Sequence, residues 1–416
     1  MMKIAILGSG GREHALAWKL EQDVGNENIF VIPGNGGTSH NVSLNPMNFQ
    51  SVKNYCENLN IDWLIVGPED PLAHGIYDYF EGSPVKVFGP SRKAAQLEAS
   101  KIFSKNFMKK HGVATARCYF SSEPGKPVDF IKSLKGQVVV KYDGLAAGKG
   151  VMVCSSEKEA KEAISEIRKK YGNNAPYLLE ERLTGREMSL IGITDGQTIK
   201  LLLPSQDHKQ AFEGDKGPNT GGMGAYCPVP WYNESMSDTV YQEIIEPTIR
   251  GFREENFIYH GVVYFGIMMT DQGPKVLEYN VRFGDPETEV ILPALKSSLA
   301  DLIEASLNGT LDSVTPQFHT DTFVDVVLAS GGYPGSYKKG FEITGIENLS
   351  SETLLFHAGT IREETRLLTN GGRVLNVVSR GKALKEAIGK VYPETKKIHF
   401  KEKYLRRDIG QREGNL

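Results

Sequence analysis

The sequence predicts a multidomain protein of the α/β and α+β classes. It should comprise an N-terminal doubly wound parallel sheet, a central unit carrying a smaller inserted subdomain, and a C-terminal α+β domain. Three observations lead there. The chain has 416 residues, more than one hydrophobic core usually serves. Residues 1–100 alternate short apolar strands with amphipathic helices, the pattern of a parallel sheet covered on both faces. Beyond residue 100 that alternation breaks, and strand pairs separated by glycine-dense loops take over. The expected domains are 1–100, 101–319 with its inserted subdomain at about 121–190, and 320–416.

In the first domain KIAILG leads to a helix from about Arg12 to Leu20. IFVIPGN, a helix near Val52–Leu59, DWLIVGPED, a helix near Leu72–Phe80 and VKVFGPS follow. Each strand ends in a glycine or proline turn, and open α/β sheets bind ligands at those ends. The first turn, Gly8-Ser9-Gly10-Gly11-Arg12-Glu13, approaches a dinucleotide fingerprint but has Glu13 at the third glycine position. The second strand runs into Gly34-Asn35 without the acid that holds a ribose diol, so nicotinamide binding is disfavoured. A phosphate at the helix N-terminus stays open, as does a purely structural use of the glycines in strand–helix packing.

Residues 101–112 read as a helix bearing Lys105, followed by an extended link with Arg117. A solvated lysine is the default for Lys105. In the inserted subdomain the apolar strand 136–141 ends on Lys141, and a buried lysine needs an anion. The turn Asp143-Gly-Leu-Ala-Ala-Gly148-Lys149-Gly150 joins it to the strand at Val151. Such a turn can fold over a triphosphate as a flap. It is not a Walker loop, because a strand follows and Gly150 replaces the hydroxyl residue. A helix (Glu157–Lys170) and the strand Tyr177–Glu181 come next, then LLEERLTGRE, spanning Leu178–Glu187. Its extended backbone, Glu180 to Leu183, can meet an adenine edge, with Glu187 on the ribose hydroxyls; a plain acidic hairpin loop is the alternative.

Residues 205–226 form a long, polar, glycine-dense stretch. Loops of that length in compact domains are functional or disordered, and its aromatic and Met residues argue against disorder. The amides of Gly221–Gly224 could form an anion nest. His208 reads as a loop histidine, since no nucleophile motif accompanies it. A helix (Tyr241–Glu255), a strand (Gly261–Met269) and a turn lead into KVLEYNVRFGDPETE, residues 275–289. Glu278 and Asn280 share one strand face, two oxygen ligands suited to a hard cation that draws its other ligands from phosphates and water. Arg282 continues that parity as a donor fork for carboxylate or phosphate. Residues 320–416 offer strands at Phe323–Ala329, Leu354–Ala358 and Val374–Val378, an Asn370-Gly371 turn and a helix at Lys382–Val391. Lys401–Arg407 reads as a solvated edge.

Composition narrows the setting. A formal net charge of −3 argues against a nucleic-acid scaffold. Cys56, Cys118, Cys154 and Cys227 are far apart, supporting neither zinc nor a disulfide framework. No signal h-region and no membrane-length apolar run occur. The expectation is a cytoplasmic protein with no nucleic-acid or membrane partner.

Together these features resemble the ATP-grasp carboxylate–amine ligases. GSGGREHAL, VVKYDGLAAGKGV, the DHK and GPNTGGMGAY segments and EYNVRFGDPETE resemble more narrowly the phosphoribosylamine–glycine ligases of purine biosynthesis. The likeness runs in order along the whole chain. It implies an ATP-grasp fold for the central unit and a monomer. It implies ATP, with Mg²⁺ or Mn²⁺, and the substrates glycine and 5-phosphoribosylamine. The metal would sit on Glu278 and Asn280, with Arg282 and Lys141 as catalytic charges. ATP would contact Lys105, Lys141, Gly148, Lys149, Gly150, Glu180, Glu181, Leu183 and Glu187. The other substrates would meet Gly10, Gly11, Arg12, Glu13, Asp70, Asp207, Lys209, Asn219, Gly221, Gly222 and Arg282, with the turns Gly8–Glu13 and Pro68–Asp70 on the phosphoribosylamine. Many ATP-grasp proteins carry another metal carboxylate on the preceding strand, where this chain has Gly266; the number of ions is therefore open. Two rivals remain. Another ATP-grasp carboxylase or ligase of purine or biotin metabolism is opposed by the DHK–GPNTGGMGAY loop. A regulatory nucleotide-binding module would leave the phosphate-suited segments and the metal pair without use.

Overall fold

The structure is a computed structural model that describes residues 2–123, 126–144 and 150–411. Strands β1 (Ile4–Gly8), β2 (Ile29–Pro33), β3 (Trp63–Val66) and β4 (Lys86–Pro90) pair in parallel in the order β2-β1-β3-β4. β1 and β3 are buried throughout, as a sheet covered on both faces requires. The connections are α1 (Gly11–Val24), α2 (Phe49–Asn58), and α3 (Glu69–Ala73) with α4 (Ile76–Tyr79). The last two replace the single helix expected near Leu72–Phe80: Gly75, at φ 85°, breaks it, a conformation glycine adopts without strain. The sequence reading also passed over α5 (Arg92–Ala99), which precedes α6 (Lys101–His111). Ser91 and Ser100 cap the two helices, each accepting a backbone N–H with its hydroxyl.

The inserted subdomain is an antiparallel sheet of β5 (Cys118–Phe120), β6 (Val138–Tyr142), β7 (Val151–Cys154) and β8 (Tyr177–Glu181), in the order β5-β8-β6-β7. Helices α7 (Pro127–Ser133) and α8 (Glu157–Tyr171) back it with a separate small core that includes Ile131, Val138, Ile167 and Leu179. The flap turn joins β6 to β7. Its residues Gly148 and Lys149 lie outside the described residues.

β9 (Arg186–Thr194) and β10 (Ile199–Leu201) precede the long loop, which contains β11 (Gln206–Asp207), β12 (Gln210–Phe212), β13 (Lys216–Asn219) and β14 (Gly224–Cys227). The predicted helix at Tyr241–Glu255 is α9 (Glu234–Val240), a π-helical turn at Tyr241–Ile245 and α10 (Glu246–Glu254). β15 (Tyr259–Thr270) and β16 (Gly273–Asn280) form the expected hairpin. β15 also pairs with β4, at Tyr259↔Pro90 and His260↔Gly89. The first two domains therefore share one eight-stranded sheet. A pair of glycines permits the junction, since a Cβ on Gly261 would sit 3.0 Å from the Gly89 Cα.

Helices α11 (Thr288–Ala294) and α12 (Leu299–Asn308) lead to the C-terminal domain, with β17 (Thr322–Ser330), β18 (Leu354–His357), β19 (Thr360–Glu363), β20 (Arg366–Thr369), β21 (Arg373–Gly381), α13 (Leu384–Lys397) and β22 (Lys403–Tyr404). Its sheet takes in β11 and β14 from the glycine-dense loop, in the order β11-β14-β17-β21-β18. The Asn370-Gly371 turn is not a hairpin turn: it joins β20, which pairs with β19, to β21, which pairs with β17 and β18. The PGNGG turn after β2 seats this domain on the first one. Asn35 Nδ2 donates to His357 O at 2.7 Å and Gly36 N to Thr360 O at 3.1 Å.

Candidate active site between three domains

A cavity of about 810 Å³ opens where the three domains meet. Arg12, Glu69 and Glu98 come from the first, Tyr333, Tyr337 and Arg373 from the last, and most of the remaining wall from the central unit. β16 runs along it. Glu278 pairs with Gly266 and Asn280 with Tyr264, which puts both side chains on the cavity face. A Cβ on Gly266 would lie 3.3 Å from Glu278 Cγ, so the neighbouring strand leaves room for Glu278 and supplies no second carboxylate. Burial would raise the Glu278 carboxyl, but Lys209, Lys141, Lys101 and Arg282 overcome it and hold the group below the ordinary range. Among the described residues no cluster of three or more His, Cys, Asp or Glu could hold a metal by itself. One ionised carboxylate beside one amide oxygen therefore fits a cation that completes its shell with phosphates and water.

The two predicted phosphate lysines converge on one acid. Glu180, on β8, lies 2.8 Å from Lys141 Nζ and 3.3 Å from Lys105 Nζ. All three are buried. Burial opposes the Glu180 charge, but the two ammoniums bring its pKa below the ordinary value. Burial also lowers Lys105, against the pull of Glu180. Lys105 is no solvated helix lysine: it donates to Thr115 Oγ1 at 2.5 Å and reaches Val276 O at 3.4 Å. With the Glu180 ion pair these contacts hold its ammonium inside the wall. Among the described residues Lys141 meets only Glu180 and, at 3.3 Å, Leu277 O, which leaves a donor for the cavity. Lys101, which the sequence reading did not single out, also lines the cavity and donates to Gly144 O at 3.0 Å.

Arg282 is held from outside its own domain. Its Nη2 lies 3.1 Å from Glu98 Oε1 and its Nε 3.6 Å from Glu69 Oε2. Burial opposes its charge, and the two acids push its pKa above the usual value. Glu98 sits at the end of α5 and accepts from Val281 N at 2.7 Å. Burial lifts its carboxyl to about 7, against Arg282 and with help from Glu69. A carboxyl raised in this way contributes stability below its unfolded pKa of about 4.5, and loses it as the pH rises through about 7. Glu98→Gln should therefore lack this titration. Its melting temperature, measured against wild type from pH 4.5 to pH 8, should improve relative to wild type as the pH rises; a constant difference would refute the assignment.

Near Glu278, Lys209 stands beside Asp207 and Glu187. Lys209 donates to Glu187, and Glu187 with Asp207 lifts its pKa well above the usual value against burial. Burial, then Glu287, Glu187 and Glu278, raise Asp207 to about 8 against Lys209. Glu287 Oε1 accepts from Ser189 Oγ at 2.9 Å and from Tyr264 OH at 3.0 Å. His208 faces away; burial takes its imidazole down to about 4, and Nε2 accepts from Gly410 N at 3.3 Å.

Of the predicted residues, Arg12, Lys105, Lys141, Gly150, Glu180, Glu181, Leu183, Glu187, Asp207, Lys209, Asn219, Gly221, Glu278, Asn280 and Arg282 line this one cavity. Others do not. Asp70 is exposed, and its neighbour Glu69 takes the place in the wall. Glu13 caps its own helix, accepting from Gly10 N at 2.5 Å, and pairs with Arg12 Nε at 2.6 Å. The Gly10 amide is thus already occupied rather than free for a phosphate. Gly11 is packed in, where a Cβ would meet Asn376 Nδ2 of the C-terminal domain at 2.2 Å and Glu289 Oε1 of α11 at 2.4 Å. Gly222 is buried beside the wall, its carbonyl 3.5 Å from Arg373 Nη1. Glu69 lies within the expected Pro68–Asp70 turn, whereas Glu98, Lys101, Tyr333 and Arg373 were missed because each acts across a domain boundary or as an ordinary helix residue in sequence. The run of Glu98-Ala-Ser-Lys101 directly before Lys105 was the signal available.

Residues 2–98, 99–288 and 323–412 match, respectively, the N, ATP-grasp (A) and C domains of the phosphoribosylglycinamide synthetase family. The chain is 43% identical over 416 residues to a phosphoribosylamine–glycine ligase of Clostridium acetobutylicum, covering 99% of this chain and 100% of that protein. It is 44% identical to a bifunctional purine biosynthetic protein of Pichia angusta, of which it spans 54%. Among solved structures, a phosphoribosylamine–glycine ligase from Thermotoga maritima superposes with a TM-score of 0.85 at 35% identity, over 98% of this chain and 100% of that one.

Proposed function

The chain belongs to the phosphoribosylglycinamide synthetase family, and from that premise we propose that it joins glycine to 5-phosphoribosylamine, converting ATP to ADP and phosphate. A carboxylate is a poor acyl donor at neutral pH. In the first step a glycine carboxylate oxygen attacks the γ-phosphorus of ATP; ADP leaves and glycyl phosphate forms. In the second the amine of phosphoribosylamine attacks the glycyl carbonyl, phosphate leaves with its bonding pair, and the nitrogen loses a proton. The product is glycinamide ribonucleotide.

The observation that carries this reading is the convergence of Lys141, Arg282 and the Glu278/Asn280 pair on one cavity that the Asp207–Gly222 loop also enters. No covalent enzyme intermediate is required, so catalysis is positioning plus charge neutralisation. Lys141 donates to an ATP phosphate, while Lys105 adds positive charge from behind it. The backbone from Glu181 to Leu183 faces the adenine, and Glu187 the ribose. Arg282 neutralises the glycine carboxylate and the phosphoryl oxygens as charge moves between them. Glu278 and Asn280 would hold Mg²⁺ or Mn²⁺, which when bound neutralises phosphate oxygens. Asp207, Lys209, Asn219 and Gly221 contact the acceptor substrates, with Arg12 and Glu69 on the phosphoribosylamine side.

The test is ADP release by the purified protein with ATP and Mg²⁺. Release should require glycine and phosphoribosylamine together, and bicarbonate should not replace glycine. Glycine labelled with oxygen-18 in its carboxylate should pass one label to the released phosphate. Turnover driven by bicarbonate, or phosphate without label, would refute the reading.

A further inference from the structure

The end of the chain, read from sequence as a solvated edge, grips the loop that enters the cavity. Arg406 has no exposed surface. Its Nε donates to Asp408 Oδ1 at 2.8 Å and its Nη2 to Asp408 Oδ2 at 2.7 Å. Its Nη1 donates to Gln210 O at 3.1 Å and lies 2.9 Å from Asp215 Oδ1. Around it, Asp408 Oδ2 accepts from Gly214 N at 2.8 Å, Tyr404 OH donates to Ala211 O at 2.7 Å, and Arg407 N donates to Glu213 Oε1 at 3.2 Å. Apart from Asp408 itself, every group gripped belongs to the β12–β13 hairpin.

Among the described residues that hairpin joins no larger sheet. Its two strands pair only with each other, through a register irregularity between Gln210 and Phe212, and β13 is exposed along its whole length. An isolated two-stranded hairpin is marginally stable in water. Yet its two ends carry Asp207 and Lys209 on one side and Asn219 on the other into the cavity. A buried guanidinium is costly unless its donors are satisfied. Here one planar fork satisfies two carboxylates and a backbone carbonyl at once, a geometry lysine cannot reproduce. The far side of the loop is fixed separately: Arg373 Nη1 donates to Gly221 O at 2.7 Å, and Gly221 N donates to Tyr333 OH at 3.0 Å.

We propose that Arg406, with Tyr404 and Asp408, is a positioning residue for the acceptor side of the site: the C-terminal strap sets the hairpin, and the hairpin sets Asp207 and Lys209. This rests on the ligase reading above, and the measurements separate the two. The phosphate lysines and Glu180 lie on β6, β8 and α6, none of which the strap touches through these bonds; its one link to the ATP side runs through Lys209, which donates to Glu187 at the ribose, and that link bounds the change expected for ATP. Arg406→Met should raise the KM for glycine at least tenfold and leave the KM for ATP within threefold. Tyr404→Phe removes a single hydroxyl and should raise the glycine KM about threefold, again without moving that for ATP; it decides the question if Arg406→Met does not fold. An unchanged glycine KM in Tyr404→Phe, or equal rises for glycine and ATP in either variant, would overturn the proposal. If wild-type protein forms no ADP in response to glycine, it is the ligase reading that fails.

Discussion

Glu278→Gln is expected to reduce glycine-dependent ADP formation by roughly a thousand-fold while the protein stays folded, about 4 kcal/mol of lost transition-state stabilisation. The side chain keeps its shape, so packing against Gly266 is preserved. What disappears is the one carboxylate on the cavity face of β16, in the midst of Lys101, Lys141, Lys209 and Arg282. Those four cations hold Glu278 ionised, and in exchange it offsets their repulsion. Without it a divalent cation would meet an amide pair beside four positive charges, a poor seat for a hard ion. The KM for metal should rise together with the fall in kcat. Measuring ADP release across a Mg²⁺ titration, with circular dichroism to verify folding, checks both; activity within tenfold of wild type would remove β16 from the chemistry. Asn280→Ala should show the same direction with a smaller effect, since it deletes a neutral ligand.

Local pattern carried much of the architecture. β1 to β3 are continuous apolar runs, and Tyr177–Glu181 coincides with β8 residue for residue. Period and turn chemistry decide such elements within a few residues of chain. What the sequence hid is non-local. The pairing of β4 with β15 joins residues 90 and 259, and nothing local announces it. The same holds for β11 and β14 entering the C-terminal sheet. The site divides along the same line. Glu278, Asn280, Lys141 and Asp207 stand in recognisable motifs. Glu98, by contrast, sits in an amphipathic helix where its sequence context is that of any solvated glutamate; only the fold brings it to Arg282. Arg406 makes the point in reverse. A basic terminal run looks solvated until the hairpin that it binds, nearly two hundred residues earlier, is seen beside it.

Glu180 and Glu181 are adjacent, both paired with cations, and should respond to substitution very differently. Glu181 meets Arg117 at 3.0 Å, but the arginine side chain is 66% exposed; such a pair is worth about 1 kcal/mol or less, and Glu181→Gln should scarcely move the melting temperature. Glu180 balances two ammoniums whose side chains are 3% and 9% exposed. Breaking a buried pair from one side costs about 3–5 kcal/mol, because the partner charge is left without compensation. Glu180→Gln leaves two such charges with one neutral acceptor between them. The least costly response is for Lys105 to give up its proton, since burial already lowers its pKa. A lysine whose folded pKa lies below its unfolded value destabilises the protein at low pH and ceases to do so as the pH rises toward about 10.5. The stability deficit of Glu180→Gln should thus be largest near pH 7 and shrink at pH 9. ATP should reduce it too, by bringing phosphate charge to the same lysines and stabilising the form that binds it. Thermal or urea midpoints of wild type and variant, at both pH values and with and without ATP, test all three statements. A variant as stable as wild type at pH 7 would mean that Lys105 and Lys141 do not depend on Glu180, and the account of the lysine pair would have to be abandoned.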